Sequence, residues 1–166
     1  MSDIQQPESM LEKLILAEIQ SKKLAIHAYD GIVWKIRSGF LTLVFGGWAI
    51  LLHGLVGETK LDAGVFQPLV WALYLFSLGF TLGAWYVDRS YVRRKFRVIV
   101  AVGDLIDSIH SCAEDYRRIP VRLLKIAGDS SDMPYRCQGY GEAIRTELSI
   151  YWVPPVIILA ALVLVL

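Results

Sequence analysis

Apolar residues along this chain are gathered into three long blocks, and most charged residues lie between them. The blocks cover residues 39–57, 66–87 and 150–166. A helix needs about 20 consecutive apolar residues to cross the hydrocarbon core of a bilayer, so the first two blocks predict membrane-spanning helices. The third block is about 25 Å long at about 1.5 Å per residue, and it predicts a shorter C-terminal membrane helix.

The linker between the first two blocks, ETKLDA, is so short that the two helices are expected to form an antiparallel hairpin. Pro68 lies near the start of the second block, where a missing backbone amide costs little. Pro154 and Pro155 lie near the start of the third block. We expect these two prolines to disrupt only the entrance of the third membrane helix, because an uninterrupted apolar run follows them.

The polar stretches predict helices as well. Residues 8–37 alternate apolar and polar side chains at helical spacing, which indicates an amphipathic helix. The chain after residue 87 is expected to continue the second helix into the cytoplasm. Within it, FRVIVAV at 96–102 favours a strand by its valines and isoleucines, but no convincing second strand lies nearby to pair with it. A short helix at 141–149 is expected to lead into the third block.

The predicted fold class is therefore an all-α integral membrane protein, in which a transmembrane helical hairpin and a C-terminal third membrane helix are joined to amphipathic cytoplasmic helices. Four parts follow along the chain. They are an N-terminal cytoplasmic amphipathic helix at 1–38, the hairpin at 39–87, a cytoplasmic helical region with a loop at 88–149, and the C-terminal membrane helix at 150–166.

The basic residues predict the orientation, because cytoplasmic loops near membrane segments are enriched in lysine and arginine. Of the 17 basic residues, five precede the first block and eleven lie between the second and third blocks, whereas the short linker holds only Lys60. The N-terminus is thus expected in the cytoplasm of a bacterium and the C-terminus at the outer face of the inner membrane. Five aromatic residues are expected at the cytoplasmic interface: Trp34, Trp85, Tyr86, Tyr151 and Trp152.

Composition and charge narrow the class of function. The chain is 55% hydrophobic and 20% charged, and its net charge of +1 gives no reason to expect a nucleic-acid partner. Cys112 and Cys137 have neither a CxxC spacing nor a nearby histidine pair, so we expect no metal site and no cofactor. The first 35 residues lack the compact apolar core of a signal peptide, and we expect them to be retained.

A few residues inside the apolar blocks are candidates for function. His53 is the only ionisable side chain within a predicted membrane helix, which makes it a candidate for a pore or gating role, although it lies close enough to the outer interface to reach water. Four glycines are expected to permit close helix packing, within the hairpin in the first instance and between subunits as the alternative: Gly46, Gly47, Gly79 and Gly83.

A basic run directly follows the second block and consists of Arg93, Arg94, Lys95 and Arg97. Such a run usually sets topology and contacts lipid head groups, and an anionic ligand is the alternative. The chain carries no Walker loop, GxSxG or HExxH motif, so an enzyme is not predicted. An enzyme would need ionisable groups that meet at the cytoplasmic interface, such as Asp88, His110 and Glu114.

Two stretches together resemble a known family. YDGIVWKIRSGF enters the hairpin from an amphipathic helix, and YVDRSYVRRKF leaves it on a long cytoplasmic helix. This architecture, over residues 8–115, resembles the SLATT-like membrane hairpin effectors of bacterial nucleotide-signalled defence systems, although those have two membrane helices. The resemblance implies an oligomer that permeabilises or perturbs the inner membrane when a partner triggers it.

The sequence therefore favours a non-enzymatic, self-associating protein that acts on the bilayer as a pore or as a membrane-disrupting effector. Its expected partners are the lipid bilayer, further copies of the chain and a cytoplasmic sensor or trigger protein. The alternative is a structural or adaptor subunit, whose cytoplasmic helices dock a separate protein. Few polar residues lie in the membrane segments, and this favours the adaptor.

Overall fold

The structure is a computed structural model, and it describes residues 10–56, 63–111, 135 and 137–165. Its described elements are three long α-helices, which confirms the prediction of an all-helical chain. They are α1 (Met10–Val56), α2 (Ala63–Ser111) and α3 (Gln138–Val165).

The segment FRVIVAV lies within α2, so the helix predicted at 96–102 is confirmed and the strand is excluded. Its β-branched side chains are accommodated because the apolar face of the helix buries them: Val98 and Val100 both lie in the core. Pro68 is the sixth residue of α2, near the helix start as expected.

The helix α3 runs without a break from residue 138 through both prolines, so the expected disruption at Pro154 and Pro155 is wrong. The short helix expected at 141–149 is the first part of this longer helix. Proline removes the amide that would bond the carbonyl four residues earlier, which leaves the carbonyls of Ile150 and Tyr151 without that donor. Both prolines are buried within the chain.

The chain divides into two compact units, and both α1 and α2 contribute to each of them. Unit 1 comprises Met1–Asp30 and Arg93–Tyr140, and unit 2 comprises Gly31–Val92 and Gly141–Leu166. The helices therefore pass without interruption through positions 38, 87 and 149, where the sequence placed the limits between cytoplasmic and membrane parts.

In unit 1, the start of α1 and the end of α2 carry the described apolar core, which consists of Ile15, Phe96, Val98, Val100, Ala101 and Leu105. Phe96 makes an edge contact with Tyr140 at 5.3 Å between ring centroids. Lys95 donates a hydrogen bond to Asp30 across the two helices. On α1 itself, the fully buried Lys22 pairs with Glu18 one turn away, at 2.9 Å.

In unit 2, each helix contributes one stripe of buried residues at spacings of three, four or seven. On α1 the stripe is Val33, Phe40, Val44 and Trp48; on α2 it is Val70, Tyr74, Ser77, Thr81, Asp88 and Val92; on α3 it begins with Glu147 and Tyr151. This period keeps one face of a helix against its neighbours over many turns. The core thus forms between three helices, each of which leaves its opposite face open.

Two described stretches are long and apolar enough to cross a membrane, Gln67–His110 on α2 and Gly139–Val163 on α3. Only 22% of the apolar window in each is buried within the chain, whereas the core helix of a soluble protein is mostly buried. The first predicted segment, 39–57, extends past Val56, which is the last residue of α1 in the described part of the chain.

Candidate functional site

Polar side chains meet between the three helices of unit 2, and three of them are fully buried: Asp88, Glu147 and Tyr151. We call this group the polar cluster, and it consists of Arg37 on α1, Trp85, Asp88 and Arg89 on α2, and Glu147 and Tyr151 on α3. Each helix places its members on, or one residue beside, its buried stripe, so the same 3–4 spacing that builds the core also gathers the cluster.

The strongest contact in the polar cluster joins α1 to α2. Arg37 donates from Nε to Oδ2 of Asp88 at 2.9 Å. The Asp88 side chain is fully buried, while 17% of the Arg37 side chain remains exposed. A buried carboxylate needs such a partner, because moving an unpaired charge out of water costs roughly several kcal/mol.

A second ion pair joins α2 to α3. Nη1 of Arg89 lies 3.7 Å from Oε1 of the fully buried Glu147, within ion-pair range but too far for a hydrogen bond. The guanidinium of Arg89 also lies over the indole ring of Trp85, 5.3 Å from its centroid. The indole ring in turn makes an edge contact with Trp152 at 6.1 Å.

Tyr151 fills the centre of the polar cluster and has no exposed surface. Its ring packs on Phe40 at 4.7 Å between centroids, which ties α3 to α1. The Tyr151 hydroxyl and Oδ1 of Asp88 are both buried and lie close enough to interact, but their geometry falls short of a full hydrogen bond. Pro154 and Pro155 follow on the same face of α3 and are buried as well.

The polar cluster balances its own charge, because two carboxylates face two guanidinium groups. It is less complete in hydrogen bonding: Trp85 Nε1, Asp88 Oδ1, both oxygens of Glu147 and the Tyr151 hydroxyl are buried without a partner. A buried polar group without a hydrogen-bond partner lowers the free energy of unfolding by about 1–3 kcal/mol. The arrangement therefore holds the three helices together by charge where their apolar segments begin or end, and it leaves several buried polar groups without a hydrogen bond.

The described residues contain no group of three or more His, Cys, Asp or Glu side chains that could hold a metal ion. The chemistry of the polar cluster is consequently that of two ion pairs and a phenol.

Farther along the helices, the core holds a smaller polar chain. Trp48 donates from Nε1 to the Ser77 hydroxyl at 3.2 Å, and this hydroxyl donates to the carbonyl of Leu73 on its own helix at 2.9 Å. Thr81 donates to the carbonyl of Ser77 at 2.7 Å. Ser77 thus makes hydrogen bonds both to the backbone of its own helix and to a side chain of the facing helix. The bond to Trp48 fixes the register in which α1 and α2 pack.

The four predicted packing glycines all lie on α1 or α2, and each has open space where a side chain would stand. A Cβ added at any of Gly46, Gly47, Gly79 and Gly83 would meet nothing within 4 Å. Close packing inside the hairpin, the favoured reason for these glycines, stays a prediction, because open space in the direction of a Cβ does not exclude contact with the backbone. Packing against another copy, the alternative, and packing against lipid both fit these open surfaces.

The structure places His53 in the last turn of α1 with an exposed side chain. The basic run does not form one surface: Arg93 and Arg94 are exposed, Lys95 is paired with Asp30, and Arg97 has its Nε buried without a hydrogen bond. Four nearly consecutive helix positions point in different directions, which explains why the run divides.

The set of ionisable groups that an enzyme would require is not described in full, because Glu114 lies outside the described residues. Asp88 is engaged by Arg37, and Nδ1 of His110 lies 2.9 Å from the carbonyl of Ile106 on its own helix. Of the five aromatic residues expected at the cytoplasmic interface, Trp34 and Tyr86 face outward, Tyr151 is buried, and Trp85 and Trp152 are half-buried against each other; their interfacial position stays a prediction.

Comparisons of the chain with protein-family models, with curated proteins and with solved structures give no match. Function is therefore inferred from the polar cluster and from the open faces of the three helices.

Proposed function

We propose that this chain is a non-enzymatic integral membrane protein of the bacterial inner membrane, with its N-terminus in the cytoplasm and its C-terminus at the outer face. The observation that carries the proposal is the distribution of polarity in unit 2. Carboxylates and guanidinium groups are turned inward, while large apolar side chains face outward, among them Leu43, Phe45, Ile50, Leu75, Phe76, Leu82, Val156, Ile157 and Val163. A soluble bundle has the reverse arrangement, and so broad an exposed apolar surface is rare in water.

The position of the polar cluster supports the topology. Arg37 precedes the first apolar segment, Asp88 directly follows the second, and Glu147 precedes the third. Their ion pairs bring these three segment ends together at one side. The same ends carry the basic residues that predict the cytoplasmic side, so the charge rule and the contacts within unit 2 favour one orientation.

In this proposal the protein self-associates and acts on the bilayer as a pore or a membrane-disrupting effector, in antiviral defence as the resemblance to SLATT-like effectors implies. Self-association is supported by the open apolar outer faces of α2 and α3. A cytoplasmic sensor or trigger protein is the expected partner. The incompletely bonded polar cluster offers a place where a trigger could shift the helices.

The second candidate function is a structural or adaptor subunit. It is favoured by one observation: the outward faces at 67–87 and 150–163 carry no charged side chain in the described part of the chain. A water-filled pore needs polar lining, and these faces offer little of it.

One experiment in two steps tests both candidates. Membranes from expressing cells are extracted with alkaline carbonate, and an inserted protein stays with the lipid pellet; release into the supernatant would contradict insertion itself. The purified full chain is then reconstituted into vesicles that hold a potassium gradient and a potential-sensitive dye. An effector dissipates the potential, whereas a protein that remains inserted and leaves the potential intact is an adaptor.

A further inference from the structure

An apolar groove runs along the outside of the helix pair α1 and α2 in unit 2. It has a volume of about 480 Å³ and is lined by Lys35, Ile36, Gly39, Phe40, Leu43, Gly79, Phe80, Gly83, Ala84 and Val87. Gly39, Gly79 and Gly83 each leave open space where a side chain would stand, and this opens the groove between the ridges of Phe40 and Phe80.

The groove has a single charged group, and it stands at one end. Lys35 belongs to the last turns of α1 before the apolar segment, at the level of the polar cluster. The neighbouring cations Arg37 and Arg89 are paired with Asp88 and Glu147, whereas Lys35 has no carboxylate partner among the described residues. A long apolar channel with an unpaired ammonium at its mouth matches an amphiphile that has a negative head and a hydrocarbon tail.

Charge complementarity decides between the two occupants that an apolar groove in a membrane can have. Within the described part of unit 2, Asp88 and Glu147 are buried, and Glu142 is the one exposed carboxylate. Glu142 stands eight residues before the third apolar segment, while Lys35 stands four residues before the first. A second copy in parallel orientation would therefore offer its carboxylate at a different level, whereas lipid phosphates lie at the level of Lys35.

From this arrangement we propose that the groove binds an anionic phospholipid, with one acyl chain along Gly39, Gly79 and Gly83 and the head-group phosphate at Lys35. This inference rests on the membrane location proposed above, and it assigns a specific lipid site to the outer face of the hairpin. Lys35 supplies the preference for an anionic head group, and the glycines supply the space for the chain.

The test uses the full chain in vesicles of phosphatidylcholine and in equimolar mixtures of phosphatidylcholine and phosphatidylglycerol. Spin-labelled analogues of each lipid report the immobilised fraction. A basic residue near an anionic surface contributes about 1 kcal/mol, so the wild-type protein should prefer phosphatidylglycerol about fivefold. Lys35→Gln should abolish this preference, while the matched control Lys23→Gln, exposed and outside the groove, should retain it.

A second variant fills the groove. Gly83→Leu should reduce immobilisation of both lipids, since leucine occupies open space and displaces the acyl chain, and folding should persist because no atom lies within 4 Å of the added Cβ. Gly46→Leu, equally open but outside the groove, is the control. If Gly83→Leu lowers the oligomeric mass and leaves immobilised lipid unchanged, a second copy occupies the groove and the lipid site is refuted. Equal preference in Lys35→Gln and Lys23→Gln would also refute it. Carbonate extraction of these variants separates either result from a failure of insertion.

Discussion

Arg37 and Asp88 are 51 positions apart, and the Nε of Arg37 lies 2.9 Å from Oδ2 of Asp88. Arg37 stands just before the first apolar segment and Asp88 directly after the second, so this contact closes the hairpin at the end opposite its linker. Glu147 extends the closure to α3 through Arg89. The ends of three apolar segments are thereby held together by charge. Purely apolar helices would lack such a contact to fix their register.

The first prediction concerns the cost of breaking this pair. Removing one partner of a buried ion pair costs about 3–5 kcal/mol, because the remaining charge is left uncompensated. Arg37→Gln leaves the fully buried Asp88 alone, whereas Asp88→Asn leaves Arg37, which still reaches solvent. Arg37→Gln should therefore be the more destabilising of the two, as measured by thermal unfolding in detergent.

The control for this prediction is the pair of Lys95 and Asp30, in which 52% of the Asp30 side chain is exposed. Exposed pairs contribute about 0–1 kcal/mol, so Asp30→Asn should change the unfolding midpoint little. A double variant that replaces Arg37 and Asp88 by Leu should be less destabilised than Arg37→Gln. Equal losses for Arg37→Gln and Asp30→Asn would show that the Arg37–Asp88 pair does not stabilise the hairpin.

The second prediction separates the two ends of the Tyr151 side chain. Its hydroxyl is buried without a hydrogen bond, while its ring packs on Phe40 at 4.7 Å. Tyr151→Phe removes an unsatisfied polar group and should be neutral or stabilise the protein by up to about 1 kcal/mol. Tyr151→Ala removes the ring and should cost about 3–5 kcal/mol.

Thermal unfolding of the two Tyr151 variants beside the wild-type protein measures the difference. If Tyr151→Phe proves as destabilising as Tyr151→Ala, the hydroxyl must make a bond to the carboxylate of Asp88 that the described geometry does not contain.

The third prediction is topological. A reporter inserted at Lys60 should be exported, and a reporter fused after Arg118 should stay in the cytoplasm, since sixteen of the seventeen basic residues lie outside the linker. Both sites lie outside the described residues, so the charge rule alone predicts them. Alkaline phosphatase activity and fluorescence of a cytoplasm-restricted reporter provide the two measurements. Export of the Arg118 fusion would reverse the orientation, and with it the side assigned to the polar cluster.

The three helices and the hairpin follow from the length and period of the apolar residues, which is why α2 could be predicted through the β-branched segment at 96–102. The limits at 38, 87 and 149 mark changes of side-chain polarity. The hydrogen bonds of a helix join backbone groups, so each helix continues across such a change. The unbroken α3 could not be predicted from local proline chemistry, because both prolines lie buried in a continuous helix and the packing around them is not visible in the local sequence.

The polar cluster was not predicted from the sequence, although one signal for it was present. Arg37, Asp88 and Glu147 each continue the 3–4 spacing of an apolar stripe, which places a charged residue on the face that packs. That spacing shows burial but does not show which charges meet, because pairing depends on how three helices align. The glycines illustrate the opposite limit: their spacing predicts a face for close packing, whereas the structure shows open space where their side chains would stand.

The last prediction tests the effector mechanism at His53. This side chain is exposed in the last turn of α1, so in an assembly of several copies it lies on an outer helix face that can border a conducting path. Imidazole can take up and release protons beside a conducting path, so a leak through a path lined by His53 should depend on pH. His53→Ala should remove this dependence in reconstituted vesicles without preventing insertion. His27→Ala is the matched control, since His27 is also exposed on α1 but lies in unit 1. A leak with the same pH dependence in His53→Ala and wild type would exclude a histidine-lined pore and leave disruption of the bilayer as the mechanism.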